Sequence, residues 1–523
     1  MRVGLLSEGG YPYAVREGGA CAGTGADEGG EWCDRLVRGL GQHDFELYAL
    51  SRSARQEDGG WHALPGNVRR VRSAPLWGGP APGATGRAYG AYGREQRRRF
   101  AAHFGDLAAA ITLPGDQAYR FADGLGGLAD LARDEGGLAA ALRSEQALRT
   151  LENACRAPGA HPTVYGTRVS DLLVVSGFLE RALRPLSLDW YGSADGDRGL
   201  AGVDLCHATS AGPAALPGLL AKRFFGTPLV VTEYGVRLRE HYLAGPEGLS
   251  TPVRTLLSAF HRQLALQIYG QAALVTCGDA RARGWQERCG ADRARQRTIH
   301  PGMDAGLYEE VGEAAPGELD DGRTLVSVGG TPEPHLWEAL AAVRAAEPDT
   351  GLRVIGATGT ASQAPCEGVR FGADTGPEVY AAGSVVILSG LVDGFPTALA
   401  EAMFCGRATV SPDTGAVREV IGGTGLLVPP GDAGALAEAC LALLRDPERR
   451  ARLGAAARAR ALELFTVEQN VAAFGALYLE VLSKAPVQHA APDPSVPFAH
   501  AAGAHPPLAW SPRSSSPTWA GRP

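Results

Sequence analysis

Apolar residues occur in short continuous runs, separated by sets spaced three and four apart. Residues 3–7 (VGLLS) stop at Glu8-Gly9-Gly10, which predicts a buried strand entering a loop. A Gly-rich stretch follows to about Gly30. Trp32, Leu36, Val37 and Leu40 then repeat at helical spacing, and residues 45–50 predict a second strand. Strand, loop, helix and strand in that order predict a parallel sheet with crossover helices.

Residues 87–155, rich in Ala, Arg, Leu and Glu, predict helices inserted into this first half. The alternation resumes with strands at 203–207, 228–232 and 273–276, helices through Leu220 and to about Cys289, and a closing segment at 297–301. A second series has strands at 325–328, 352–355, 369–371, 385–389, 408–411 and 425–428. Helices are predicted at 397–405, 435–444 and 448–464. Thr466 and Gln469 form a capping box, after which Val467, Val471, Phe474, Tyr478 and Leu482 line one face of a last helix. The organisation expected is an N-terminal unit over 1–300, a second unit over 301–465 and a helix over 466–483. Residues 484–523, rich in Pro, Ala, Ser and His without apolar period, predict a disordered tail.

Composition narrows the choices. At 523 residues, 45% hydrophobic, the chain can bury two cores. A net charge of -7 gives no general reason to expect nucleic acid as a partner. The Arg runs at 97–99 and 449–452 read as solvated helix faces. No two of the nine cysteines form C-x-x-C, which argues against a zinc or thioredoxin-type motif; their odd number and the size of the chain predict reduced thiols in the cytoplasm. The start MRVGLLSEGG reads as a first strand and not a signal peptide, and no run of about 18 apolar residues predicts a membrane span. Gly23, Gly25 and Gly29 lie too far from the first strand for a nicotinamide dinucleotide loop, so an oxidoreductase is a distant reading.

The chemistry concentrates at 392–406, VDGFPTALAEAMFCG. Asp393, Gly394, Phe395 and Pro396 fall between a predicted strand and the helix opening at Thr397, where ligands of open parallel sheets gather. The first N–H groups of a helix lack internal partners and attract an anion such as a pyrophosphate. Gly394 permits close approach of a ligand to the backbone. Glu401, about a turn in, can reach ribose hydroxyls. Asp393 stands on the other side, where a transferred sugar would lie. In the first half, Glu233 sits at a strand end beside a glycine, and His207 either faces a cleft or is a hydrogen-bonded strand-end residue.

The motif Asp393-Gly-Phe-Pro-x4-Glu401-Ala-Met-x-Cys405-Gly406, with Val410-Ser-Pro-Asp413-x-Gly415-x3-Glu419 and residues 425–432 after it, resembles the retaining glycosyltransferases of family four. That family carries two glutamates seven residues apart; the first is aspartate here. Residues 369–372 and 380–389 look like its preceding strands. Residues 7–13, 32–40 and 232–236 are similar to the PelF-type glycosyltransferases of exopolysaccharide synthesis. The resemblance implies an α/β GT-B fold: two Rossmann-like doubly wound domains facing a cleft, with the last helix crossing back to the first. It implies a nucleotide-sugar donor, expected to be a uridine one, with the sugar moved with retention and no obligatory metal or other cofactor.

By this resemblance Asp393 and Glu401 are the catalytic pair. Gly329, His335, Gly394, Phe395, Pro396, Thr397 and Glu401 hold the donor. Glu8, Tyr11, Gly18, Gly19, His207, Glu233 and Tyr234 line the acceptor side. The sequence departs from the family at two cations that clamp the leaving pyrophosphate. Gly330 stands where the family has Arg, and His335 roughly where it has Lys, so donor binding and leaving-group stabilisation should weaken. Tyr234 replaces a His that faces the donor sugar in many relatives. The reading is a cytoplasmic glycosyltransferase working on a glycan or lipid-linked acceptor in polysaccharide biosynthesis. Attachment to the inner face of the membrane, within a polysaccharide-synthesis complex, is a further option. The alternative is a glycosyltransferase-like binding or partner subunit with little catalysis.

Overall fold

The apolar runs become strands buried on both faces, as parallel sheets covered by helices require. The structure, a computed structural model, describes residues 1–13, 26–76, 92–192, 198–243, 248–314, 322–328, 333–355, 368–372, 376–388, 390 and 394–484. Among these, the N-terminal strands are β1 (Arg2–Glu8), β2 (Asp44–Ser51), β3 (Val68–Pro75), β4 (Leu205–Ala208), β5 (Leu229–Glu233), β6 (Leu274–Cys277) and β7 (Gln296–Thr298). They form one sheet in the order β3-β2-β1-β4-β5-β6-β7, with every pairing parallel. β8 (Thr324–Val328), β9 (Gly351–Ile355), β10 (Val369–Gly372), β11 (Val385–Leu388), β12 (Ala408–Pro412) and β13 (Leu426–Val428) form a second parallel sheet, β10-β9-β8-β11-β12-β13. The expected pair of doubly wound Rossmann-like sheets is the observed architecture. Chain order reverses between β1 and β4 in one sheet and between β8 and β11 in the other, and ligands of such sheets bind at these switch points.

β3 has no counterpart in the apolar pattern because it is an edge strand of sequence VRRVRSAP, with Arg69 and Arg70 exposed. Helices Val169–Leu183 and Thr251–Gln271 were also unassigned. Both extend the helical layer of Arg94–Thr112, Ala118–Glu135 and Glu145–Cys155, and Phe260 of the long helix packs edge-on against Phe121 at 5.9 Å. Tyr380, read with the strand that follows it, instead lies in the short helix Pro377–Ala381. Gly376-Pro377 starts that helix with its proline at the first position, where a missing N–H costs nothing.

The last helix, Val467–Lys484, buries Phe474, Leu477, Tyr478 and Val481 in the core formed with Trp32, Leu36, Phe45 and Leu205. It therefore crosses back to the first sheet. Gly39 makes the approach possible, because a Cβ there would sit 2.4 Å from Val471 Cγ2. The entry is tied down by Met303, whose N–H donates to the Phe465 carbonyl at 2.8 Å and whose carbonyl accepts from Val467 N–H at 3.0 Å. Thr466 Oγ1 accepts from Gln469 N–H at 3.3 Å, one half of the predicted capping box. No helix of the described residues is long and apolar enough to cross a membrane. The predicted tail lies outside the described residues, apart from Lys484.

Candidate active site

The second sheet's switch point lies between the segments that follow β8 and β11. After β11, Gly394 has φ +92, a left-handed conformation that only glycine adopts without strain. The position of a Cβ on Gly394 would lie 3.9 Å from the Tyr234 carbonyl oxygen, so the 394–396 turn faces the turn that follows β5. Phe395 is buried against Phe465 and His300, at ring distances of 5.4 and 6.0 Å. That packing anchors the turn to the segment leading out of β7.

Helix Thr397–Phe404 starts here, but its opening N–H groups are not all vacant, as the sequence led one to expect. Thr397 N–H donates to the Phe395 carbonyl at 3.0 Å, and Leu399 and Ala400 N–H donate to that of Pro396 at 3.0 and 3.1 Å. Pro396 is the N-cap of this helix, and its carbonyl accepts these first helical bonds. Ala398 N–H is left without a hydrogen bond among the described residues. The Thr397 hydroxyl is also turned to the Phe395 carbonyl, at 3.5 Å.

One turn on, Glu401 is half-buried, and its Oε2 accepts from the Tyr380 hydroxyl. Tyr308, stacked on Phe404 at 5.7 Å, presents its phenol to the same carboxylate. Burial first, and the facing Glu401 next, push both tyrosines well above the ordinary phenol value. Asp393, Gly329 and Gly330 lie outside the described residues. His335 is in the first turn of helix Pro334–Ala346, where its Nδ1 is 3.4 Å from Glu333 Oε2. The ring that the resemblance sets roughly at the position of a lysine is thus beside a carboxylate.

At the first sheet's switch point, Glu8 ends β1 and pairs with Arg237 Nη2 at 2.7 Å. The Arg237 side chain lies over Gly212 in the loop after β4, where a Cβ would come within 2.7 Å of its Cδ. Beneath them Glu233 is fully buried. Its Oε1 accepts from Ala211 N–H at 2.8 Å and Arg237 N–H at 3.4 Å, and its Oε2 from the Tyr269 hydroxyl. Burial raises its pKa, against the lowering effect of those donors. Glu233 shapes the site floor and offers no exposed atom to an acceptor.

Three further candidates point elsewhere. His207 is 0% exposed, with Nδ1 2.6 Å from the Tyr478 hydroxyl and Nε2 2.6 Å from Thr232 Oγ1. It is the hydrogen-bonded strand residue and not a cleft residue, because β4 is central and the last helix covers it. Burial lowers its pKa to about 3. Tyr11 is buried in the core with Trp32 and Leu36, its phenol facing inward. Tyr234 turns its ring edge-on to Trp32 at 5.3 Å, and its hydroxyl accepts from Asn470 Nδ2 at 3.0 Å. Its side chain serves the crossing helix, and only its carbonyl faces the donor-side turn. Gly18 and Gly19 lie outside the described residues.

The structure therefore brings Gly394, Phe395, Pro396, Thr397 and Glu401 together opposite the β5 turn, with Glu8 on the facing sheet. Sequence reading missed Arg237, Tyr380 and Tyr308. The partners of Tyr380 and Arg237 lie 21 and 229 positions away, and no local spacing signals such pairs.

Residues 1–294 match the family model described as Domain of unknown function (DUF3492), and residues 323–446 match that described as Glycosyl transferases group 1. N-acetyl-alpha-D-glucosaminyl L-malate synthase of Bacillus anthracis is 32% identical over 111 residues, 21% of this chain and 29% of that protein. D-inositol 3-phosphate glycosyltransferase 1 of Catenulispora acidiphila is 24% identical over 290 residues, 46% of this chain and 64% of its own. The match spans less than two thirds of either relative's length. Among solved structures, sucrose-phosphate synthase from Thermosynechococcus elongatus aligns with a TM-score of 0.51 and 16% identity, over 92% of this chain and 99% of that one. Anabaena HepE in complex with UDP aligns with a TM-score of 0.50 and 14% identity, over 92% and 100%. Both share the two-domain GT-B fold described above.

Proposed function

The chain belongs to the family described as Domain of unknown function (DUF3492), and from that membership, joined to a glycosyl transferases group 1 domain, we propose that it is a retaining, PelF-type glycosyltransferase. It moves a hexosyl group from a nucleotide-sugar, in the first instance a UDP-sugar, to a glycan or lipid-linked acceptor during polysaccharide biosynthesis. The observation that carries this reading is the placement of the Gly394 turn and Glu401 at the second sheet's switch point, facing the turn after β5. A carboxylate one turn into a helix whose mouth opens at that point suits a ribose next to a diphosphate. HepE, of similar fold, was crystallised with UDP, which supports the donor class. Glu8 and Arg237 line the facing side, where the acceptor would dock.

The chemistry asked of the chain is displacement of a nucleoside diphosphate from the anomeric carbon. Asp393 is the residue proposed to face the transferred sugar. Glu401 holds the ribose, and the 394–398 backbone lies against the diphosphate. Charge on the leaving group would ordinarily be met by fixed cations, which supply a large part of such catalysis. The test is release of nucleoside diphosphate from a panel of UDP-, GDP- and ADP-sugars with glycan acceptors, with the anomeric configuration of the product read by NMR. Turnover with retained configuration supports the proposal. Inverted product would remove retention, and no turnover with any donor would remove catalysis.

One observation favours a second reading, a binding subunit with little catalysis. His335 sits against Glu333, so even a protonated ring there would be partly neutralised before a phosphate arrives.

A further inference from the structure

We infer that Tyr380 is a positioning residue for Glu401, with Tyr308 as a second support, and that these phenols set a preference for ribonucleotides over 2′-deoxyribonucleotides. The inference rests on the reading of this cleft as a nucleotide-sugar site.

A glutamate side chain turns about three bonds, and one that must meet a sugar diol loses affinity if it first has to be ordered. Here the ordering is built in. Tyr380 is 4% exposed, seated in the core by helix Pro377–Ala381, and its hydroxyl donates to Glu401 Oε2. Tyr308 is 8% exposed and lies parallel to Phe404, at 16° between planes, with its phenol against the same carboxylate. Both tyrosines arrive from elements other than the glutamate's own helix, so they hold the carboxylate independently of its rotamer preference. The Glu401 carboxylate is thus held at Oε2 by the Tyr380 hydroxyl and faced by the Tyr308 phenol. A carboxylate has about four acceptor positions, so these two phenols order it without using its whole capacity. A carboxylate ordered in this way selects a ligand that brings a hydroxyl to its remaining acceptor capacity, and a hydrogen bond to a charged group discriminates strongly against a ligand lacking that hydroxyl.

The experiment compares UDP with 2′-deoxy-UDP, and the corresponding GDP and ADP pairs, by calorimetric titration of the full chain, Tyr380→Phe and Tyr308→Phe. The wild-type chain is expected to bind the ribonucleotide of its preferred base about tenfold more tightly than the deoxy form. Tyr380→Phe should erase most of that ratio and Tyr308→Phe part of it, while deoxynucleotide affinity changes little. An unchanged ratio in both variants overturns the inference and leaves the nucleotide site standing. Equal weakening of both ligands also overturns it, since that is the signature of a structural role alone. Equal binding of both forms by the wild-type chain overturns it as well. If the wild-type chain binds no nucleotide, both the inference and the reading beneath it fall. Should Tyr380→Phe fail to fold by circular dichroism, Tyr308→Phe decides by the same ratio.

Discussion

The backbone N–H of Ala280 donates to Glu419 Oε2 at 2.7 Å. Ala280 opens the helix after β6, and Glu419 lies in helix Val417–Ile421 between β12 and β13, so this bond joins the two sheets' loops beside the cleft. Asp279, buried next to it, caps the same helix through Ala282 N–H at 2.8 Å. Its carboxyl is raised above the ordinary value by burial and, after the loss of water, by the facing Glu419. This link between the sheets' loops is therefore a hydrogen bond beside a like-charged neighbour.

Glu419→Ala should loosen that link. The expected result is a larger radius of gyration in small-angle scattering of the nucleotide-free chain, and donor affinity weakened about threefold to tenfold, the usual range of such coupling. Unchanged scattering and unchanged affinity would show that the bond does not help hold the cleft closed.

His207 makes stability depend on pH. The unfolded ring takes up a proton near the ordinary value of 6.5, while the buried ring resists until about 3. The unfolded state then binds more protons between those values, so this contribution is full above 6.5 and is lost as pH falls. The loss should be about 1.4 kcal/mol between about pH 7.5 and about pH 5.5. His207→Ala should remove that slope and cost about 3 kcal/mol at neutral pH, from the cavity and the stranded hydroxyls of Tyr478 and Thr232. Urea midpoints of both proteins at the two pH values check this. A wild-type-minus-variant difference that does not change with pH would contradict the assignment.

Much of the fold was legible because its central strands carry continuous apolar runs, such as VVIL at β11 and the LVV that opens β5. β3 was not, because an edge strand written VRRVRSAP exposes Arg69 and Arg70 and has no apolar run. The donor-side turn was legible as Gly-Phe-Pro before a largely apolar helix. The direction of Tyr234 was not: spacing places it at a strand end, but Trp32 and Asn470, about 200 positions or more away on either side, draw its side chain toward the crossing helix. His207 shows the same limit. A strand-end histidine can face a cleft or a core, and the Tyr478 hydroxyl of the last helix, with Thr232 of β5, fixes the second.

Restoring the missing cations should raise donor affinity. Gly330→Arg with His335→Lys supplies two charges where the resemblance places the phosphate clamp. The ammonium introduced by His335→Lys is drawn in part to Glu333, yet it still adds positive charge to the helix mouth. About tenfold tighter binding of the nucleoside diphosphate is expected, read by calorimetry and weakened by added salt. No gain would mean that the lost cations do not limit this site.

The most direct measurement is calorimetric titration of the purified chain and of Glu401→Ala with UDP, UDP-glucose, GDP and ADP. Binding of one nucleotide by the wild-type chain, lost or weakened at least about tenfold in a folded Glu401→Ala, is the predicted result, and it identifies the base. Equal affinity in the two proteins, or no nucleotide binding by the wild-type chain, would contradict the assignment of this cleft to a nucleotide-sugar donor.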